Sequence, residues 1–89
     1  MATLSIRNMK AKIPYEAAVR SGYIKDLLQQ YNSDNVITVP DKYYLVIGNY
    51  INYLQGKTPQ PITTKGKLSN CFDMAIYFDD SSYFQYLMQ

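Results

Sequence analysis

A change of hydrophobic period near Pro14 limits this chain to a mixed α+β fold. Before it, Leu4 and Ile6, then Met9, Ala11 and Ile13, alternate with polar residues, the period of a half-buried strand. After it, Val19, Tyr23, Ile24, Leu27, Leu28 and Tyr31 recur at helical spacing, with Arg20, Lys25, Asp26, Gln29 and Gln30 on the opposite side. The segment "RNMK" between the alternating runs has the length of a tight hairpin turn, and Pro14, which cannot donate to a ladder, ends the second run. Ser21-Gly22 interrupts the helical pattern, since glycine is about 1 kcal/mol worse than alanine inside a helix and serine is a good N-cap. The spacing therefore predicts a short helix over Glu16–Arg20 and a longer one from about Gly22 to Tyr31.

Further along, "NSDN" has loop residue types, and "VITV" is a short β-branched strand, either buried or at a sheet edge. Pro40 stops that strand, and Asp41 is expected to cap a helix running to about Gln55 with Tyr43, Ile47, Tyr50, Ile51 and Leu54 in one stripe. Gly56 is the expected left-handed stop. "KTPQPITTKGK" reads as an extended connection anchored by Ile62. Leu68, Cys71, Phe72, Ala75 and Phe78 form a third stripe, and Asp79-Asp80-Ser81-Ser82 caps a last short helix whose Phe84, Leu87 and Met88 are expected to reach the core. The predicted order is β-β-α-α-β-α-α-α, without internal repeats.

A chain of 89 residues supports one modest core, so residues 1–89 are read as a single domain. Its net charge of +2, with basic and acidic residues mixed, is too weak for a nucleic-acid footprint. No apolar run has signal-peptide or membrane-span length, and the one cysteine, Cys71, cannot form an intrachain disulfide. The expectation is a soluble intracellular protein, cytoplasmic or nuclear, with no membrane partner. Ten tyrosines and no tryptophan suit either a partly wet core or a protein-binding surface.

Catalytic chemistry is poorly supplied. Without histidine the common base near neutrality is missing, and Cys71 on an apolar stripe has no partner to raise its thiolate fraction. One cysteine cannot make a zinc site. Asp79-Asp80, the one adjacent carboxylate pair, is more simply explained by helix capping. "GKTP" and "KGK" lack the glycine-rich loop after a strand that phosphate binding requires. The reading is of a non-enzyme with no cofactor, no metal and no small-molecule substrate.

With the elements placed, "EAAVRSGYIKDLL", "ITVPDKYYLVIGNYINYL" and "MAIYFDDSSYFQYL" resemble, in order and spacing, the BTB/POZ fold in the short form shared by the Skp family and elongin C. The resemblance covers nearly the whole chain. It implies a small sheet, a hairpin plus one further strand, capping a cluster of about five short helices, and a function in protein–protein contact. Short-form members are adaptors that bind a cullin scaffold of a ubiquitin ligase on one surface and a substrate receptor on another. The extra segments by which longer members dimerise, and by which the Skp family grips F-box partners, have no counterpart in the matched stretches.

By position, the cullin-facing helix end falls on Ile76 and Tyr77, with Tyr83 nearby and Asp73, Asp79 and Asp80 as a polar rim. The alternative is that Tyr77 rests on neighbouring helix surface, with the sheet edge near Leu4–Asn8 as the next binding surface. Two functions stand side by side: a Skp- or elongin C-like adaptor, and a self-associating BTB homo-oligomer or virion-type structural module with no cullin contact. A nucleic-acid-binding regulator is disfavoured by the mixed charge.

Overall fold

The alternation at the start of the chain produces the hairpin it predicts. Strand β1 (Ala2–Ile6) pairs antiparallel with β2 (Met9–Ile13), Leu4 opposite Ala11 and Ile6 opposite Met9. The loop is Arg7-Asn8, and Arg7 takes φ 51°, the sign that two-residue hairpins favour at their first position. β1 also pairs parallel with β3 (Val36–Thr38), giving the strand order β2-β1-β3. The structure, a computed structural model, describes residues 2–30, 36–58 and 62–88, the side chains of Leu28 and Gln30 excepted. The expected loop over 32–35 and the stripe positions Leu28 and Tyr31 lie outside that description.

One face of the sheet buries Ala2, Leu4, Ile6, Ile13 and Ile37, and the helices cover it. Val36 and Thr38 face outward on a short edge, as a three-residue strand at a sheet margin does. The other edge is partly covered, because Gln55 Nε2 donates to the Lys12 carbonyl at 2.9 Å.

Helix α1 (Tyr15–Ala18) buries Ala17 and Ala18, and α2 (Gly22–Gln30) starts at the predicted break. Ser21 is the cap: its Oγ accepts from the Ile24 amide at 3.1 Å. Next, the sequence predicts one helix from Asp41 to Gln55, and the structure corrects this. Asp41–Tyr43 forms a 3₁₀ turn, and α3 (Ile47–Leu54) begins only after Val46, at φ −117°. The β-branched pair Val46-Ile47 followed by Gly48 is weak helix material. The N-cap position falls on Pro40, with no side-chain cap bond, and Asp41 is already the first residue of the turn. Its carboxylate instead takes a two-pronged contact from Arg7, Nε at 2.6 Å and Nη2 at 3.0 Å, with the guanidinium 3.9 Å above the Tyr44 ring. Arg7 holds that carboxyl below its ordinary range.

α3 ends as expected. Gly56 takes φ 78°, while Lys57 N donates to Asn52 O and Gly56 N to Tyr53 O. α4 (Lys65–Tyr77) starts earlier than the apolar stripe implies, because Thr64 Oγ1 accepts from the Lys67 amide at 3.3 Å. Lysine and glycine in that first turn hide the start, being poor company for the positive end of a helix. α5 (Ser81–Leu87) completes the chain. Among the described residues there are three strands, five α-helices and the 3₁₀ turn, and no helix is long and apolar enough to cross a membrane.

Candidate protein-binding face

The reversal between α4 and α5 takes three residues. Asp80 N donates to Ala75 O and Asp79 N to Ile76 O, both at 3.0 Å, with Asp79 at φ 50°, where the same closure of α3 has Gly56. Asp80 then caps α5, its Oδ1 accepting from the Tyr83 amide at 3.0 Å and its Oδ2 from the Tyr50 hydroxyl at 2.8 Å. These bonds place a buried carboxylate with both oxygens occupied, and they lay α5 back along α4.

Between the two helices runs an open groove of about 350 Å³. Its apolar walls are Ile76, Phe84 and Met88, and Asp79 stands at its edge. Ile76 is 67% exposed and Met88 62%, while Phe84 is half-buried against Phe72 with ring centroids 5.0 Å apart. Exposed apolar side chains beside polar neighbours are surface that a partner could cover.

The three residues singled out from the sequence end in different environments. Ile76 is on the surface. Tyr77 is half-buried, its ring 5.0 Å from Tyr23 and 5.6 Å from Tyr43, with its hydroxyl 3.4 Å from that of Tyr23. Burial, then the Tyr23 hydroxyl, push its phenol up to about 12. Tyr83 is fully buried, and its hydroxyl donates to Asn49 Oδ1 at 2.5 Å. A ring without exposed surface offers nothing to a partner, so Tyr83 supports the face from beneath. Met88, expected in the core, is on the surface instead. It follows Tyr83 by five residues, about 140° around a helix at 100° per residue, and that spacing already points it away from the core.

Of the rim residues, Asp73 accepts from the Tyr43 hydroxyl at 2.8 Å and lies 3.5 Å from Lys42 Nζ. The Tyr43 hydrogen bond, aided by Lys42, holds its carboxyl low. Asp79 is exposed, and Asp80 is internal.

Most of the tyrosines serve the interior. Tyr43, Tyr77, Tyr23, Phe78, Tyr50, Tyr83, Tyr53 and Tyr86 form a continuous line of ring contacts, with centroids between 4.6 and 6.1 Å along it. Aromatic pairs at such distances add roughly 0.5–1.5 kcal/mol beyond area burial. Tyr15 and Tyr44 keep substantial exposure.

Elsewhere, a cavity of about 340 Å³ opens between α3 and α4, with Val46, Ile62 and Cys71 inside and Leu45, 75% exposed, at its mouth. Cys71 is buried, and burial pushes its thiol up. Among the described residues no group of three or more potential metal ligands comes together. No protein family, curated protein or solved structure matches the chain.

Proposed function

We propose that this chain is a protein-binding module of the short BTB/POZ type, acting as a Skp- or elongin C-like adaptor that bridges a cullin scaffold and a substrate receptor. The observation that carries the reading is the α4–α5 face: Ile76 and Met88 stand largely exposed on either side of Phe84, on a backbone fixed by the Asp79-Asp80 reversal. The element order, a hairpin, two helices, a short strand and three helices, is the one expected from the resemblance and supports it. In this reading the protein performs no chemistry, and its partners are proteins, with no nucleic acid, membrane or small-molecule substrate involved. It works inside the cell, in cytoplasm or nucleus, where an unpaired thiol such as Cys71 stays reduced.

The test is a pair of measurements on the same protein. Light scattering at micromolar concentration should give a monomer, and calorimetric titration with a purified cullin N-terminal domain should give saturable binding that Ile76→Asp removes. A defined oligomer that ignores the cullin domain would replace this reading with the self-associating one.

A further inference from the structure

All nine lysines and arginines of the chain precede Leu68, and the charged side chains from Leu68 onward are Asp73, Asp79 and Asp80 alone. The chain's modest net charge thus hides a polarity: past Lys65 and Lys67 in the first turn of α4, the rest of α4, the reversal and α5 carry no cation, and Asp73 and Asp79 are their exposed carboxylates. We propose, building on the protein-binding reading, that the α4–α5 groove takes a short helical segment of the partner whose apolar anchor is flanked by lysine or arginine.

Three features support this occupant. The groove is apolar along Ile76, Phe84 and Met88, and about 350 Å³ is at the small end of ligand pockets, which suits one or two large side chains better than a cofactor. Asp73 already has Lys42 beside it, whereas Asp79 makes no ion pair among the described residues and lies at the groove's edge. α5 carries no charged side chain, so nothing on that helix repels a cation approaching Asp79. A partner segment with acidic flanks would meet like charge there, and such juxtaposition selects against wrong partners. An amphipathic helix laid into an apolar groove, with charges at its rim setting orientation, is a common recognition mode.

The probes are two synthetic amphipathic peptides with the same leucine stripe, one with lysine and one with glutamate at every flanking position. Binding is read by isotope-labelled methyl resonances of Ile76 and Met88. The lysine peptide should shift both methyls and bind roughly tenfold tighter than its twin at low salt, with the gap closing as salt rises. Asp79→Asn, which keeps the side chain's size beside Gly22 but removes a charge from beside the first turn of α2, should narrow the gap while lowering the melting temperature by no more than a few degrees. Ile76→Asp should weaken the lysine peptide roughly thirtyfold, the scale of a lost anchor. Equal affinities, shifts confined to other surfaces, or no binding by either peptide would each overturn the proposal. Self-association seen in the peptide-free sample would assign the groove to a second copy and overturn it as well. Because cullin binding is measured separately, a module that binds cullin but ignores the charge of the peptides sinks this inference and leaves the adaptor reading standing.

Discussion

The carboxylate of Asp79 occupies the space that a β-carbon on Gly22 would need. Such a carbon would overlap Asp79 Oδ2 and stand 3.0 Å from its Cγ and 3.2 Å from its Cβ. This closeness comes from the joint between α2 and α4. The first free amides of α2 meet the last free carbonyls of α4, Gly22 N donating to Asp79 O at 3.0 Å and Tyr23 N to Phe78 O at 3.2 Å. Ser21 Oγ donates to the Phe78 carbonyl while accepting from Ile24 N. Each helix end satisfies groups that would otherwise be orphaned.

Gly22→Ala should therefore destabilise the protein, although alanine is about 1 kcal/mol better than glycine within a helix. We expect a loss of roughly 1–3 kcal/mol from overpacking, seen as a lower urea midpoint. Asp79→Gly removes the colliding side chain and suits the positive φ, so the double variant should recover most of the loss. A midpoint that rises in Gly22→Ala alone would show that the joint is looser than described.

The buried phenols predict the alkaline limit of stability. Burial is the first cause raising the tyrosine hydroxyls of Tyr43, Tyr50, Tyr77 and Tyr83; at Tyr50 the nearby Asp80 adds to it. The folded state thus holds these protons more tightly than the unfolded chain, where tyrosine titrates near 10. This stability is complete below about pH 10 and is lost as pH rises toward the folded values, by at most about 1.4 kcal/mol per pH unit for each of the enclosed Tyr50 and Tyr83, and by less for Tyr43 and Tyr77, whose hydroxyls are nearer solvent and screened by it. Absorbance of phenolate and far-ultraviolet circular dichroism should change together in one cooperative step above pH 10. Tyr50→Phe should make the loss of stability above pH 10 shallower by about one proton, while lowering neutral-pH stability by about 1–3 kcal/mol because Asp80 Oδ2 loses its donor.

How far the sequence carries is visible at particular residues. The α+β character, the hairpin, the break at Ser21-Gly22, the stop at Gly56 and the capping of α5 by Asp80 all follow from local rules of period, cap and turn. What local rules missed was settled by distant partners. Asp41 is a plausible cap in sequence, but a guanidinium 34 residues away takes its carboxylate. Tyr83 looks like a surface tyrosine beside a capping box, yet Tyr50, Tyr53 and Asn49 surround it. Met74, absent from the predicted stripe, is buried because α4 is covered on a wider arc than a narrow stripe suggests. Of the candidate face, Ile76 was legible because it falls off the stripe. Met88 was not, since an apolar residue near a helix end resembles core unless its angle of about 140° from Tyr83 is counted.

Cys71 offers a test of the α3–α4 packing. Its thiol is buried and raised by that burial, so the reactive thiolate is scarce and shielded. Labelling by a thiol reagent should be much slower in the native state than in urea. Equal rates would put the sulfur in open contact with solvent through the cavity beside Leu45.

The last prediction separates the face from its support. Tyr83→Ala removes a fully buried ring and the Asn49 hydrogen bond, and should cost about 3–5 kcal/mol, enough to unfold a domain of this size. Tyr77→Lys replaces a half-buried ring packed on Tyr23 and Tyr43, so any loss of binding it causes comes with a lower melting temperature. Ile76→Asp touches neither, because the side chain points to solvent, and its stability should stay within about 0.5 kcal/mol of the parent. Measured by thermal melting and cullin-domain titration on all three variants, only Ile76→Asp should lose binding while remaining folded. If Ile76→Asp binds as well as the parent, the α4–α5 face is not the contact surface; the stretch Leu4–Asn8, expected as a sheet edge, begins in the central strand β1 with Leu4 and Ile6 buried, so the true edge at Val36 and Thr38 becomes the surface to mutate next.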